Sequence, residues 1–248
     1  MRPIRCAVVA LLAAGAVATA CTSEKKSASP AKDSLAVEPA GSDTKPSSVT
    51  GNPDGATTAG TASKRTVLFL GTSLTAGLGL DPDSAYPQQI QKKIDAGALP
   101  YQTVNAGVSG ETSAGLLRRL DWVLQAPAAV IVVETGANDG LRGQPVEGTK
   151  ATIGQILTRI KKERPDAQVV LVQMEAPTNL GVNYTRAFHA MFPALAKEYG
   201  VTLMPFLLEG VAGEVKLNQG DGVHPNDDGE RIVTENVWKT LGPLLRAP

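Results

Sequence analysis

The chain has 248 residues, 42% hydrophobic and only 4% aromatic, with a formal net charge of zero. That length favours one or two domains. A neutral balance leaves no electrostatic footprint for nucleic acid, and few rings are available for base stacking, so DNA and RNA are excluded as partners.

Arg2 and Arg5 form a short basic head before the apolar run at 7–20. The run falls short of the roughly 20 apolar residues a membrane-spanning helix needs, and it has the layout of a secretory signal peptide. Its end, Val17-Ala18-Thr19-Ala20-Cys21, sets small residues before a cysteine and resembles a bacterial lipoprotein signal, although Ala18 stands where Leu is usual. The expectation is a signal peptide over 1–20 and lipidation of Cys21, with a plain cleaved signal as the alternative. Cys6 would leave with the signal, so no internal disulfide can form. Residues 21–65 are dominated by Ser, Thr, Ala, Gly, Pro, Lys and Asp. Such a stretch cannot bury enough apolar surface to offset its ordering entropy and reads as a disordered tether. The prediction is an exported, monomeric protein whose membrane partner is reached through the lipid anchor.

From residue 66 the texture changes. Thr66–Leu70 is a continuous apolar run ending at Gly71, as in a strand buried on both faces. Comparable runs predict strands at Thr103–Ala106, Ala129–Thr135, Gln168–Met174 and Val201–Phe206. Helical stretches alternate with them at Tyr86–Ala96, Ser113–Leu124, Val146–Glu163 and Asn183–Tyr199. The last of these carries Phe188, Met191, Phe192, Leu195 and Tyr199 at helical spacing. A final helix is predicted from Asp227, where Asp227 and Glu230 have capping-box spacing, to Gly242-Pro243, a helix-ending pair. The alternation predicts an α/β domain over 66–248, a single three-layer α/β/α unit around a five-stranded, mainly parallel sheet. In such sheets active residues collect on loops after the carboxyl ends of strands.

The first such loop runs from Gly71 to Gly79. It lacks the lysine of a phosphate-binding loop and the G-x-G-x-x-G spacing of a dinucleotide site. What remains is Ser73 on a strand-to-helix turn, where a serine can act as nucleophile if a base is within reach. Of the two histidines, His189 lies in an amphipathic helix and reads as a surface or core-border residue. His224 lies in the glycine-rich loop Gly220–Pro225, three residues after Asp221. A tight turn there can bring the carboxylate to the imidazole Nδ1–H, which fixes the tautomer and stabilises the imidazolium. A metal held by Asp221 and His224 is an alternative, but a catalytic zinc usually has three protein ligands. The loops Asn105–Thr112 and Gly136–Gly140 follow the second and third strands, and Asn138 can donate an amide N–H to a developing oxyanion. Taken singly, each loop is also explained by ordinary turn chemistry.

Together the four blocks occur in one order, and the stretch from Thr66 to Leu245 resembles the SGNH, or GDSL-type, hydrolase family. Its GTSL, SGET, GANDGLRG and DGVHP blocks are similar to those of the bacterial thioesterase I/lysophospholipase/arylesterase branch, as is Phe188–Pro205 between blocks. The resemblance implies a flavodoxin-like fold, no cofactor and no metal. It implies Ser73 as nucleophile, His224 as base and Asp221 as its partner, with an oxyanion hole from the Ser73 and Gly110 N–H groups and the Asn138 side chain. Thr72 departs from the pattern, because the family usually has aspartate there; the threonine keeps an oxygen but loses the charge, which is expected to loosen the turn holding Ser73. Glu111 for aspartate in the second block is expected to matter little. Leu78, Leu80, Leu141, Met174, Pro177, Leu180 and the loop through Arg142 line an apolar acyl pocket or, equally, pack as core. The resulting prediction is an esterase acting on acyl esters, lysophospholipids or thioesters. The alternatives are a carbohydrate-ester deacetylase, a metal-dependent hydrolase and a non-catalytic lipid-tethered binding domain.

Overall fold

A computed structural model describes residues 63–247; the predicted signal, Cys21 and all but the last three residues of the predicted tether lie outside them. In chain order the elements are β1 (Arg65–Gly71), α1 (Ser73–Ala76), α2 (Tyr86–Ala96), β2 (Tyr101–Gly107), α3 (Ser113–Val123) and β3 (Val130–Val133). There follow α4 (Ala137–Leu141), α5 (Val146–Glu163), β4 (Gln168–Val172), α6 (Val182–Tyr199), β5 (Thr202–Met204) and α7 (Asp227–Arg246). All five strands are parallel, in the order β2-β1-β3-β4-β5. The sheet is thus the predicted one, with every pair parallel.

β1 is an interior strand, between β2 and β3, and its apolar run has no polar face to offer water. Val67, Leu68, Phe69 and Leu70 are all buried, with Leu68 paired to Val104 on one side and Ile131 on the other. Burying each such side chain stabilises by about 1.5–3 kcal/mol. Helices α2 and α7 pack together as one layer, and α3, α5 and α6 as the other. The amphipathic stripes that face the sheet are Ile153, Ile156, Leu157 and Ile160 on α5, and Phe188, Met191, Phe192 and Leu195 on α6.

The topology positions the site. From β1 the chain crosses to β2 at one edge, whereas from β3 it proceeds through β4 to β5 in the opposite direction. Right-handed crossovers running in opposite directions send their helices to opposite faces, and a crevice opens between the carboxyl ends of the adjacent strands β1 and β3.

Several boundaries differ from the sequence expectation. β3 and β5 are shorter than their apolar runs, because Glu134 and Thr135, like Pro205 and Phe206, already belong to the loops of the carboxyl edge. The expected stop at Gly242-Pro243 does not occur: α7 runs to Arg246. Pro243 gives up one backbone bond, but Leu241 and Leu245, one turn apart, are both buried and hold the last turn on the core. The capping box is also replaced. Asn226 is the N-cap, its side chain accepting from the N–H groups of Asp228 and Gly229 at 3.1 Å each. Glu230 instead turns inward, is 1% exposed, and keeps its Oε2 without a hydrogen-bond partner among the described residues.

Burial pushes the Glu230 carboxyl up to about 8, against the opposing pull of the Tyr86 backbone N–H. A carboxyl raised in the folded state contributes its stability below its unfolded value, about 4.3, and loses that contribution as pH rises to about 8. The neutral isostere removes this dependence. Glu230→Gln should raise Tm at pH 9 and leave it nearly unchanged at pH 5; an equal Tm change at both pH values would contradict this.

Candidate active site

Ser73 is the first residue of α1, and the chain reverses at once through Gly77, whose left-handed φ of 72° closes the helix. The turn presents Ser73 Oγ at the crevice, 2.8 Å from His224 Nε2. His224 Nδ1 lies 2.6 Å from Asp221 Oδ2. The other oxygen of Asp221 accepts the backbone N–H groups of Val223 at 2.9 Å and His224 at 3.0 Å. The His224 and Val223 N–H groups, and then the imidazole, hold the Asp221 carboxyl well below the usual carboxylate range. An ionised Asp221 takes the Nδ1 proton as a hydrogen bond and leaves Nε2 with a lone pair aimed at the Ser73 hydroxyl.

Two side chains tie this arrangement together: Gln219, which sequence reasoning missed, and Arg142, which it read only as part of a pocket loop. Gln219 Nε2 donates to Leu78 O at 2.8 Å and to Pro225 O at 2.9 Å, so one amide links the serine turn to the histidine loop. Arg142 Nη2 donates to Gly110 O at 2.9 Å. Around Gly110 the α4 loop grips the preceding block at two more points. Asn138 Nδ2 donates to Glu111 O at 3.1 Å, and Asp139 accepts the Ser113 hydroxyl at 2.6 Å and its N–H at 2.8 Å. Gly110 has a φ of +76°, a conformation that disfavours any side chain. Neither the Ser73 nor the Gly110 N–H has an acceptor among the described residues. Both residues line a common cleft with Asn138, whose amide keeps a second N–H beyond the one given to Glu111 O.

That cleft has a volume of about 490 Å³, and Ser73, Gly110, Asn138 and His224 line it. Of the predicted pocket residues Leu78, Leu141, Met174 and Pro177 line it, whereas Leu80, Leu180 and Arg142 do not. Phe206, Leu208 and Val223, which the sequence reading passed over, add to its apolar wall. His189 is half exposed on α6 and pairs with Glu175 at 2.7 Å, as a surface histidine does.

The two departures from the family pattern are both occupied. The Thr72 N–H and hydroxyl donate to the Glu134 carboxyl at 2.7 and 2.9 Å, so the turn is held rather than loosened. Glu111 forms a bidentate ion pair with Arg119, at 2.7 to 2.9 Å, that secures the Gly110 loop. The signal for Glu134 was an acid at the end of an otherwise apolar run.

The model of the GDSL-like Lipase/Acylhydrolase family matches residues 69–232. Esterase TesA of Pseudomonas aeruginosa is 38% identical over 185 residues, covering 74% of this chain and 91% of that protein. Thioesterase 1/protease 1/lysophospholipase L1 of Escherichia coli is also 38% identical, covering 74% of this chain and 86% of that protein. Among solved structures, the psychrotrophic esterase EstA from Pseudoalteromonas, inhibited by monoethylphosphonate, superposes with a TM-score of 0.70 at 31% identity. The match covers 74% of this chain and all of that one.

The site geometry predicts the effect of Asp221→Asn. The amide can donate to Nδ1 and favour the wrong tautomer, so kcat on a nitrophenyl ester should fall by about 10⁴-fold with the fold retained. A loss smaller than tenfold would mean that Asp221 does not orient His224.

Proposed function

The chain belongs to the GDSL-like lipase/acylhydrolase family, and from that premise we propose a serine esterase mechanism run by Ser73, His224 and Asp221. The protein is a carboxylic ester hydrolase. The observation that carries the residue assignment is the unbroken hydrogen-bonded line from Asp221 through His224 to Ser73 at the wall of an apolar cleft.

His224 Nε2 takes the hydroxyl proton as Ser73 Oγ bonds to the carbonyl carbon of the ester. The carbonyl oxygen becomes an oxyanion and receives hydrogen bonds from Ser73 N–H, Gly110 N–H and Asn138 Nδ2. His224 then passes its proton to the leaving oxygen, the carbon–oxygen bond breaks, and the acyl group stays on Ser73. Water enters, gives a proton to His224 and attacks the same carbon. The acid departs as Ser73 regains the proton.

Acyl esters and lysophospholipids are the favoured substrates. The apolar wall formed by Leu78, Leu141 and Pro177 suits an acyl chain. Thioesters fit the same chemistry, but export through the predicted signal separates the enzyme from cytoplasmic acyl-CoA. Lipidation at Cys21 would hold the monomeric domain at a membrane, within reach of lysophospholipids. Support for that placement is the sequence Val17–Cys21 and the polar stretch behind it.

Ser73→Ala should abolish ester hydrolysis. Asn138→Ala should lower kcat by about 100- to 1000-fold while KM changes little. Full activity in Ser73→Ala, or abolition of wild-type activity by a chelator, would overturn the mechanism. In a bacterial host, Cys21→Ser should move the protein from the membrane to the soluble exported fraction; an unchanged membrane fraction would rule out the lipid anchor.

A further inference from the structure

Behind Ser73 lies a buried polar cluster that the acyl-transfer steps do not use. Thr72 is the N-cap of α1, where a threonine ordinarily turns its hydroxyl onto the helix N–H groups, yet it makes no such cap. Both of its donors go to Glu134, which is fully buried and lies one residue beyond β3. The hydroxyl of Thr75, on the other side of Ser73, also donates to Glu134 at 3.0 Å. Because that proton is committed, the 2.7 Å contact between Thr75 and Tyr86 must be donated by the Tyr86 hydroxyl. The chain of donors therefore runs Tyr86 to Thr75 to Glu134, with Thr72 arriving from the other end. Gly71 makes room for it: a Cβ there would lie 1.9 Å from Thr75 Oγ1 and 2.8 Å from Glu134 Oε2. Its φ is not in the left-handed region, so this close approach is what the site requires of Gly71.

We infer that Glu134 is a positioning residue for the nucleophile, clamping the residues on both sides of Ser73 so that its Oγ meets His224 and its N–H meets the oxyanion. An unpaired buried carboxyl would be expensive. One that collects three donors from a single turn instead makes that turn rigid. Thr72 brings its N–H and its hydroxyl, and no second charge, to Glu134.

The inference rests on Ser73 being the nucleophile, and the rate of Ser73 labelling by a fluorophosphonate separates the two claims. Thr72→Val keeps the shape and removes one donor; Glu134→Leu removes the acceptor; Glu134→Gln restores an acceptor oxygen. Thr72→Val and Glu134→Leu should slow labelling and lower kcat by about tenfold or more at nearly unchanged KM, and Glu134→Gln should recover most of the Glu134→Leu loss. If Glu134→Leu fails to fold, Thr72→Val carries the test. Thr72→Asp sets two carboxyls within hydrogen-bond distance, where both cannot ionise. Its activity should therefore fall at alkaline pH where wild type holds. Wild-type labelling rates in Thr72→Val, no recovery by Glu134→Gln, or a wild-type pH profile for Thr72→Asp would overturn the inference. Failure of the wild type to label at Ser73 would instead overturn the mechanism itself.

Discussion

The hydrogen bond from Ser73 to His224 joins residues 151 positions apart, and most of the domain can be understood as the apparatus that keeps its length at 2.8 Å. Neither residue could hold this geometry from its own segment. Ser73 sits on a four-residue helix and His224 in a glycine-rich loop, both intrinsically weak structures. The parallel sheet supplies the rigid base by placing the carboxyl ends of β1 and β3 side by side. Gln219 then bridges the serine turn and the histidine loop directly, and Asp221 orders its own loop through two backbone N–H groups before it touches the imidazole.

The oxyanion side is built by the same logic with different parts. Asn138, Asp139 and Arg142, from one turn of helix and the residue after it, each hold a different point of the Gly110 loop. Two independently flexible loops thereby become one bracket. Preorganised donors cost no reorganisation when charge develops, which is where such sites gain most of their rate. Beneath the bracket, Glu134 introduces a carboxyl into the interior, and burial raises its affinity for a proton even though the Thr72 N–H and the hydroxyls of Thr72 and Thr75 oppose that rise. Glu230, another buried carboxyl, has fewer donors and keeps its Oε2 without a partner among the described residues.

Much of this was legible in the sequence because it is local or periodic. The apolar run through Phe69, the stripe on α5 and the three-residue step from Asp221 to His224 are short-range patterns with one physical reading each. Capping at Asp227 and the stop at Pro243 were read from equally local rules, and tertiary burial overrode both: Glu230 was recruited to the interior, and Leu245 kept the last turn. The contacts made by Gln219, Arg142 and Glu134 were not legible for a different reason, although Arg142 stood in a candidate pocket loop and Glu134 showed as an acid closing an apolar run. Each acts on a residue far along the chain, and nothing in its own neighbourhood signals that reach.

The central claim is that Ser73 carries the acyl group between two proton transfers by His224. Mixing the enzyme with excess nitrophenyl ester and quenching within the first turnovers, followed by peptide mass analysis, tests it most directly. The account predicts an acyl mass increment on the peptide containing Ser73, formed in step with nitrophenol release and increased when water attack is slowed. Turnover without any acylated peptide, or an acyl group on another residue, would contradict it.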